Sequence, residues 1–155
     1  MIYTNKQSLM WATFDESDFP KIKITLNGVP ENEEDFTNFL TKWDSYNGEH
    51  LNGKNYVFIF DTNNVGMVNP KYALKMSSFI KELKAKPQFL KASVIKCNSA
   101  YTRFLLRIIF WLQKPVANVY IISKDDDAII NKMANLLLTG THMNVNNEYT
   151  RVVYA

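Results

Sequence analysis

The sequence has a single cysteine, Cys97, and only two histidines, His50 and His142. One thiol cannot close an internal disulfide and suits a reducing compartment, so a cytoplasmic protein is expected. Two histidines far apart give no metal-ligand spacing and no catalytic dyad. No metal, cofactor or enzymatic activity is therefore expected. Five glycines are too few and too scattered for a phosphate-cradling loop, and Gly66 stands alone between strand and helix. No apolar run approaches the roughly 20 residues of a membrane span. Residues 1–10 lack a charged stretch followed by a long apolar one, so no signal peptide is expected. Repeats, linkers and low-complexity tracts are also missing.

What is present is ordinary in bulk and unusual in arrangement. With 155 residues, 46% hydrophobic and 21% charged, the chain suits one α/β domain over 1–155, with 139–155 a polar C-terminal tail. A domain of this size buries roughly 70% of its unfolded surface. The net charge of +3 conceals two opposed blocks. Between Trp11 and Glu49 nine acids face three lysines, a balance of −6. Between Pro70 and Pro115 ten bases face Glu82 alone, a balance of +9. Blocks of opposite sign create opposite fields and invite association, either with a partner or between copies.

Val57-Phe58-Ile59-Phe60 is apolar at every position, which predicts a strand covered on both faces. Asp61, Asn63, Asn64 and Gly66 supply turn chemistry after it, and Asn69-Pro70 opens a helix. Upstream, Ser8–Phe14 reads as a first strand and Asp15–Pro20 as a turn. Lys21–Leu26 alternates strictly, predicting a strand wet on one side and near an edge. Glu31–Tyr46 is an amphipathic helix with acids in its first turn. Downstream, the pattern gives a basic helix over Pro70–Lys86, a strand over Ala92–Cys97 and a third helix capped by Asn98 or Ser99. A strand over Asn118–Ile122 and a fourth helix through Leu138, with Ser123–Asp126 as its capping box, complete the alternation. Thr150–Tyr154 can add a terminal strand. The order β-β-α-β-α-β-α-β-α, with about five strands and about four helices, implies a mixed, mostly parallel sheet with right-handed crossovers.

Two sets of residues stand out as candidate sites. Asp61, Asn63, Asn64 and Asn69, with Asn98 and Ser99, sit where strands become helices and suit either a small ligand or ordinary turns and caps. Cys97 precedes a helix start among basic neighbours, which suits a reactive thiol or a buried one. Asp125–Asp127 suit a cation or a helix dipole. The third helix is over-apolar: Leu105, Ile108, Ile109 and Leu112 make one stripe, leaving Leu106 and Phe110 beside Arg103 and Arg107. Lys71, Lys75, Arg103, Arg107 and Phe110 thus form a candidate interaction surface. A protein partner or self-association is expected there. An anionic lipid surface also suits the basic block, whereas nucleic acid does not, for want of stacking motifs or a recognition helix.

Element order and three local patterns resemble the STAS domain, the fold of the sporulation anti-anti-sigma factors. Asp61, Val65, Val68 and Asn69 follow that family's pattern of a strand ending in Asp, a hydrophobic residue four on, and a helix opening at a small site. Val94-Ile95-Lys96-Cys97-Asn98-Ser99 followed by Arg103-Phe104-Leu105-Leu106 is similar to its next segment, as are Val119–Ile122 and Asp125–Ala128 after it. The likeness spans Ser8 to Leu138 and implies a non-enzymatic binding or assembly module. Pro70 and Lys71 stand where the regulatory branch carries a phosphoacceptor serine, and Ser77 and Ser78 lie about two turns further on. The resemblance therefore implies no serine-phosphorylation switch. Phe89–Lys91 through Trp111–Pro115 is also similar to part of the CRAL-TRIO domains, which implies, as the alternative, a small lipid- or nucleotide-binding domain.

Overall fold

Val57, Phe58, Ile59 and Phe60 are all buried, in the first half of a strand, β4 (Tyr56–Val65), that lies fourth in a seven-stranded sheet. The computed structural model describes the backbone of 6–8 and, in full, residues 11–47, 51, 53–141 and 149–155. His50, His142 and most of the polar stretch 140–148 lie outside the described residues. Within them β1 (Lys6–Ser8), β2 (Ala12–Asp15) and β3 (Lys21–Gly28) precede α1 (Glu33–Ser45) and β4. Then come α2 (Lys71–Leu83), β5 (Leu90–Lys96), α3 (Ala100–Leu112), β6 (Val119–Ile122), α4 (Asp127–Leu138) and β7 (Thr150–Val153).

The strands stand in the sheet in sequence order. β3, β4, β5 and β6 are mutually parallel, while β1, β2 and β7 join antiparallel. The α/β class and the four helices agree with the sequence; the strand count and the parallel majority do not. Ser8–Phe14 is not one strand: Lys6–Ser8 folds back on Thr13–Asp15 as a separate edge strand. Its three residues, Lys-Gln-Ser, carry no apolar signature, so only backbone pairing reveals it. The terminal segment does pair, with Val153 opposite Val119. Antiparallel pairings therefore equal parallel ones.

Sequential order decides where the helices go. Successive parallel crossovers that all advance in one direction and share one hand must place their helices on one face. Accordingly α1, α2 and α3 cover the face carrying Phe58, Phe60, Ile95, Val119 and Ile121. α4 links β6 to an antiparallel neighbour and is free of that constraint. It covers the opposite face, packing Ile130, Met133, Ala134 and Leu137 on Val57, Ile59, Val94 and Tyr120. Over Tyr56–Phe60 β4 is thus dry on both faces, which is why that run does not alternate. β3 does alternate, yet it is no edge strand: it lies between β2 and β4. Its Lys21 and Lys23 are wet because α4 packs over β4 and β5 and does not reach it.

The two layers differ in chemistry. On the three-helix face Trp11, Phe14, Phe36, Phe39, Trp43, Tyr46, Phe58 and Phe60 form a continuous ring cluster, with centroids 5.0–6.2 Å apart along it. Each such pair adds about 0.5–1.5 kcal/mol beyond burial. The helices start where side chains satisfy the free N–H groups. Asn32 accepts from Asp35 N at 2.9 Å and Ser99 from Thr102 N at 3.2 Å. The fourth helix is capped by Asp126, which accepts from Ile129 N at 3.2 Å, so the box expected over Ser123–Asp126 starts three residues too early.

One carboxylate lies inside this layer. Glu16, in the turn after β2, is 1% exposed. Lys42 of α1 reaches it at 3.4 Å and the Tyr46 hydroxyl donates to it at 2.9 Å. Lys42→Met takes one cationic partner from this buried carboxylate and is expected to cost about 2 kcal/mol in urea unfolding. A second expectation concerns alkali. Burial pushes the hydroxyls of Tyr46 and Tyr56 above their ordinary value of 10.0, helped by Glu16 and Asp44 respectively. The unfolded chain then ionises first, so their contribution is fully present below pH 10 and is lost as pH rises beyond it. Stability should be level up to about pH 9 and then fall with increasing slope, by about 1.4 kcal/mol in all for each tyrosine by pH 11. Tyr56→Phe should shallow that fall, as read from urea midpoints between pH 7 and 11.

Candidate functional site

The third helix has more apolar surface than the sheet can take, and the structure shows where the excess goes. Thr102, Leu105 and Ile109 face inward. Phe104, Leu112 and Trp111 are 48%, 44% and 82% exposed. Leu112 therefore leaves the inward stripe in which the sequence placed it. Leu106 and Phe110 behave the other way: both are half-buried against the core. An inward lean at 106 and 110 puts Arg103 and Arg107, three residues before each, along the margin of the helix.

That margin overlooks a cleft of about 580 Å3 between α3 and the last two strands. Its origin is topological. The three helices on this face end with α3, and β7 lies one strand beyond it, so the last strip of sheet has no helix above it. Ile121 and Val153 floor the cleft, Leu106 and Phe110 wall it, and Arg103, Arg107 and Arg151 line it. Among the described residues no acidic side chain lines the cleft and none of the three arginines has an ion-pair partner. Arg151 was not among the residues singled out from sequence. Alternation around Val152 is the signal for it: Val152 packs under α4, which turns Arg151 and Val153 to the other face.

The basic residues of α2 fare differently. Lys71 and Lys75 both reach Glu33 of α1, Lys71 at 3.3 Å, and Lys86 meets Asp44 at 2.8 Å. Hydrogen bonds from Lys75 and Lys71 hold the Glu33 carboxyl below the usual carboxylate range. The acidic and basic blocks thus meet within one molecule. Of the five residues chosen as an interaction surface, Arg103, Arg107 and Phe110 come together at the cleft, while Lys71 and Lys75 are engaged with α1.

The strand-end candidates form a separate region. Asp61 accepts from Asn63 N at 3.0 Å, Asn69 from Lys71 N at 2.9 Å, and Ser99 caps α3. Asn64 and Asn98 are exposed, and the Asn63 Oδ1 is buried without a hydrogen-bond partner in the described protein. Neither this cleft nor the smaller pocket described below is lined by any of these six residues. The organising group here is Lys96, a residue sequence reading passed over. Its side chain is 9% exposed and lies 2.7 Å from Asp125, 3.0 Å from Asp127 and 3.6 Å from Asp61. Burial opposes its charge, but the bonds to Asp125 and Asp127 and the field of Asp61 outweigh that and raise its pKa. An ammonium already occupies the place a cation would take among these carboxylates. Cys97 beside it is buried, and burial pushes its thiol up.

A second, smaller pocket of about 150 Å3, open to the same degree as the cleft, lies between α1, α2, α3 and the sheet. Leu106 and Phe110 line it as well as the cleft. Its walls are apolar except where Thr102 Oγ1 and Trp11 Nε1 make no hydrogen bond in the described protein. Among the described residues no helix is long and apolar enough to cross a membrane, and no cluster of His, Cys, Asp and Glu is placed to hold a metal.

No protein family, curated protein or solved structure matches the chain. The Lys96 cluster gives a direct expectation. Replacing both Asp125 and Asp127 by Asn leaves a buried ammonium with Asp61 alone and should cost about 2–3 kcal/mol in chemical denaturation. Lys96→Met removes the buried charge and leaves only solvated carboxylates, so it should cost less than the double variant.

Proposed function

We propose that this chain is a non-enzymatic, STAS-like binding module, cytoplasmic in setting, whose working surface is the outer side of α3 and the cleft beside it. The observation that carries the reading is Trp111, 82% exposed on the same helix as exposed Phe104 and as Arg103 and Arg107, which have no ion-pair partner among the described residues. Aromatic and arginine side chains exposed together are the usual anchors of protein interfaces. Their partner is a protein surface that is apolar at its centre and acidic at its rim, on a different molecule or a second copy. The engaged state of Lys71 and Lys75 narrows this surface to the third helix. Pro70 and Lys71 at the start of α2 favour constitutive binding over a serine-phosphorylation switch.

A second reading, a small-ligand domain of the CRAL-TRIO kind, is supported by the apolar pocket with its two unbonded polar atoms. At about 150 Å3 it is benzene-sized. That favours a small apolar ligand over a nucleotide.

Light scattering separates the leading reading from its failure. The wild type is expected to self-associate at low salt, or to retain a partner in a pulldown from its own source. Arg103→Glu with Arg107→Glu should abolish either behaviour, and Trp111→Ala should weaken it by about 2 kcal/mol, the scale of an interface hot spot. A wild type that stays monomeric and recovers no partner overturns the proposal.

A further inference from the structure

We infer that the cleft between α3 and β7 is a binding site for a small organic anion, a phosphate or carboxylate joined to an aromatic or aliphatic body. Three arginines line it from two elements: Arg103 and Arg107, one turn apart on α3, and Arg151 on β7. Among the described lining residues there is no acid, and the three arginines border a concave, partly apolar surface. Such a surface concentrates anions, and the planar fork of arginine matches phosphate and carboxylate in two parallel hydrogen bonds.

The rest of the lining selects the body of the ligand. Leu106 and Phe110 on one side and Ile121 and Val153 on the other present apolar surface directly beside the arginines. A bare phosphate would leave that surface wet. The volume, about 580 Å3, falls within the roughly 300–1,000 Å3 of small-molecule sites and far exceeds one oxyanion. A ligand with one anionic end and one ring or short chain satisfies both halves. Ser123, at the end of β6, also lines the cleft and offers a hydroxyl. This goes beyond the partner surface proposed above, because it uses the floor of the cleft and Arg151, which the exposed aromatics of α3 do not require.

The test is calorimetry on the whole purified chain at low salt, titrating phenyl phosphate against inorganic phosphate. Phenyl phosphate is expected to bind with a Kd on the order of 1 mM or below, and at least about tenfold more tightly than inorganic phosphate. Arg107→Ala and Arg151→Ala should each weaken it about tenfold or more, the scale of a charge-assisted hydrogen bond. Arg151→Lys, which keeps the charge but loses the fork, should fall between wild type and Arg151→Ala. Phe104→Ala, outside the cleft, should leave affinity within about twofold. Unchanged melting temperatures of the arginine variants establish that the fold persists.

Phenyl phosphate binding no tighter than inorganic phosphate, or binding that survives Arg151→Ala, overturns the inference. Co-sedimentation with phosphatidylcholine vesicles containing phosphatidic acid, lost in Arg151→Ala, assigns the anion to a lipid headgroup. Phenyl phosphate binding without co-sedimentation assigns it to a free metabolite. The measurement needs no protein partner, so its outcome is independent of whether α3 docks one.

Discussion

Everything in this fold depends on β4 being dry on both faces over Tyr56–Phe60. A strand with Val57 and Ile59 on one side and Phe58 and Phe60 on the other cannot be satisfied by a single layer of helices. Sequential parallel crossovers supply one layer only, because each places its helix on the same side. The return of the chain along α4 and the antiparallel addition of β7 supply the second. The price of that solution is asymmetry. Three helices crowd one face and one helix sits on the other, so α4 stops short of β3, while α3 stops short of β7. Both wet strips of the sheet follow from that mismatch, the lysine-bearing one on β3 and the arginine-bearing one at the cleft.

Charge is distributed by the same geometry. Read along the sequence, the acidic and basic blocks look like two surfaces waiting for partners. In the folded chain α1 and α2 are neighbours, and Glu33 and Asp44 take up Lys71, Lys75 and Lys86. Exposed pairs of this kind add little stability each, but they quench the field that the sequence advertised. Lys96 is quenched in turn by three aspartates. The positive charge left facing a concavity is that of Arg103, Arg107 and Arg151. All three are arginines, in a chain whose cations are mostly lysine.

Much of this was legible in the residues. Helices appear within a few residues of where caps and apolar periodicity put them, because Asn32, Asn69 and Ser99 satisfy free N–H groups locally. Strands buried on one or both faces declared themselves by alternation or its absence. What stayed hidden depends on contacts distant in sequence. β1 is polar and exists by pairing alone. The expectation that β3 lies near an edge came from its wet face, which reports a missing helix layer; the strand lies third in the sheet. Half of the cleft was visible as Arg103, Arg107 and Phe110 on one helix, but Arg151 is 44 residues beyond Arg107 and joins it only through the register of β7 on β6. The inward turn of Leu106 and Phe110 follows from the shape of the space beneath α3, which no periodicity encodes.

Leu106 and Phe110 belong to two compartments at once. The same two side chains line the apolar pocket beneath α3 and form a wall of the outer cationic cleft. A rotamer change in either residue bears on both spaces, because each side chain borders both. A ligand in the cleft that shifted either side chain would alter the packing beneath α3, and by linkage a ligand beneath α3 would alter affinity at the cleft.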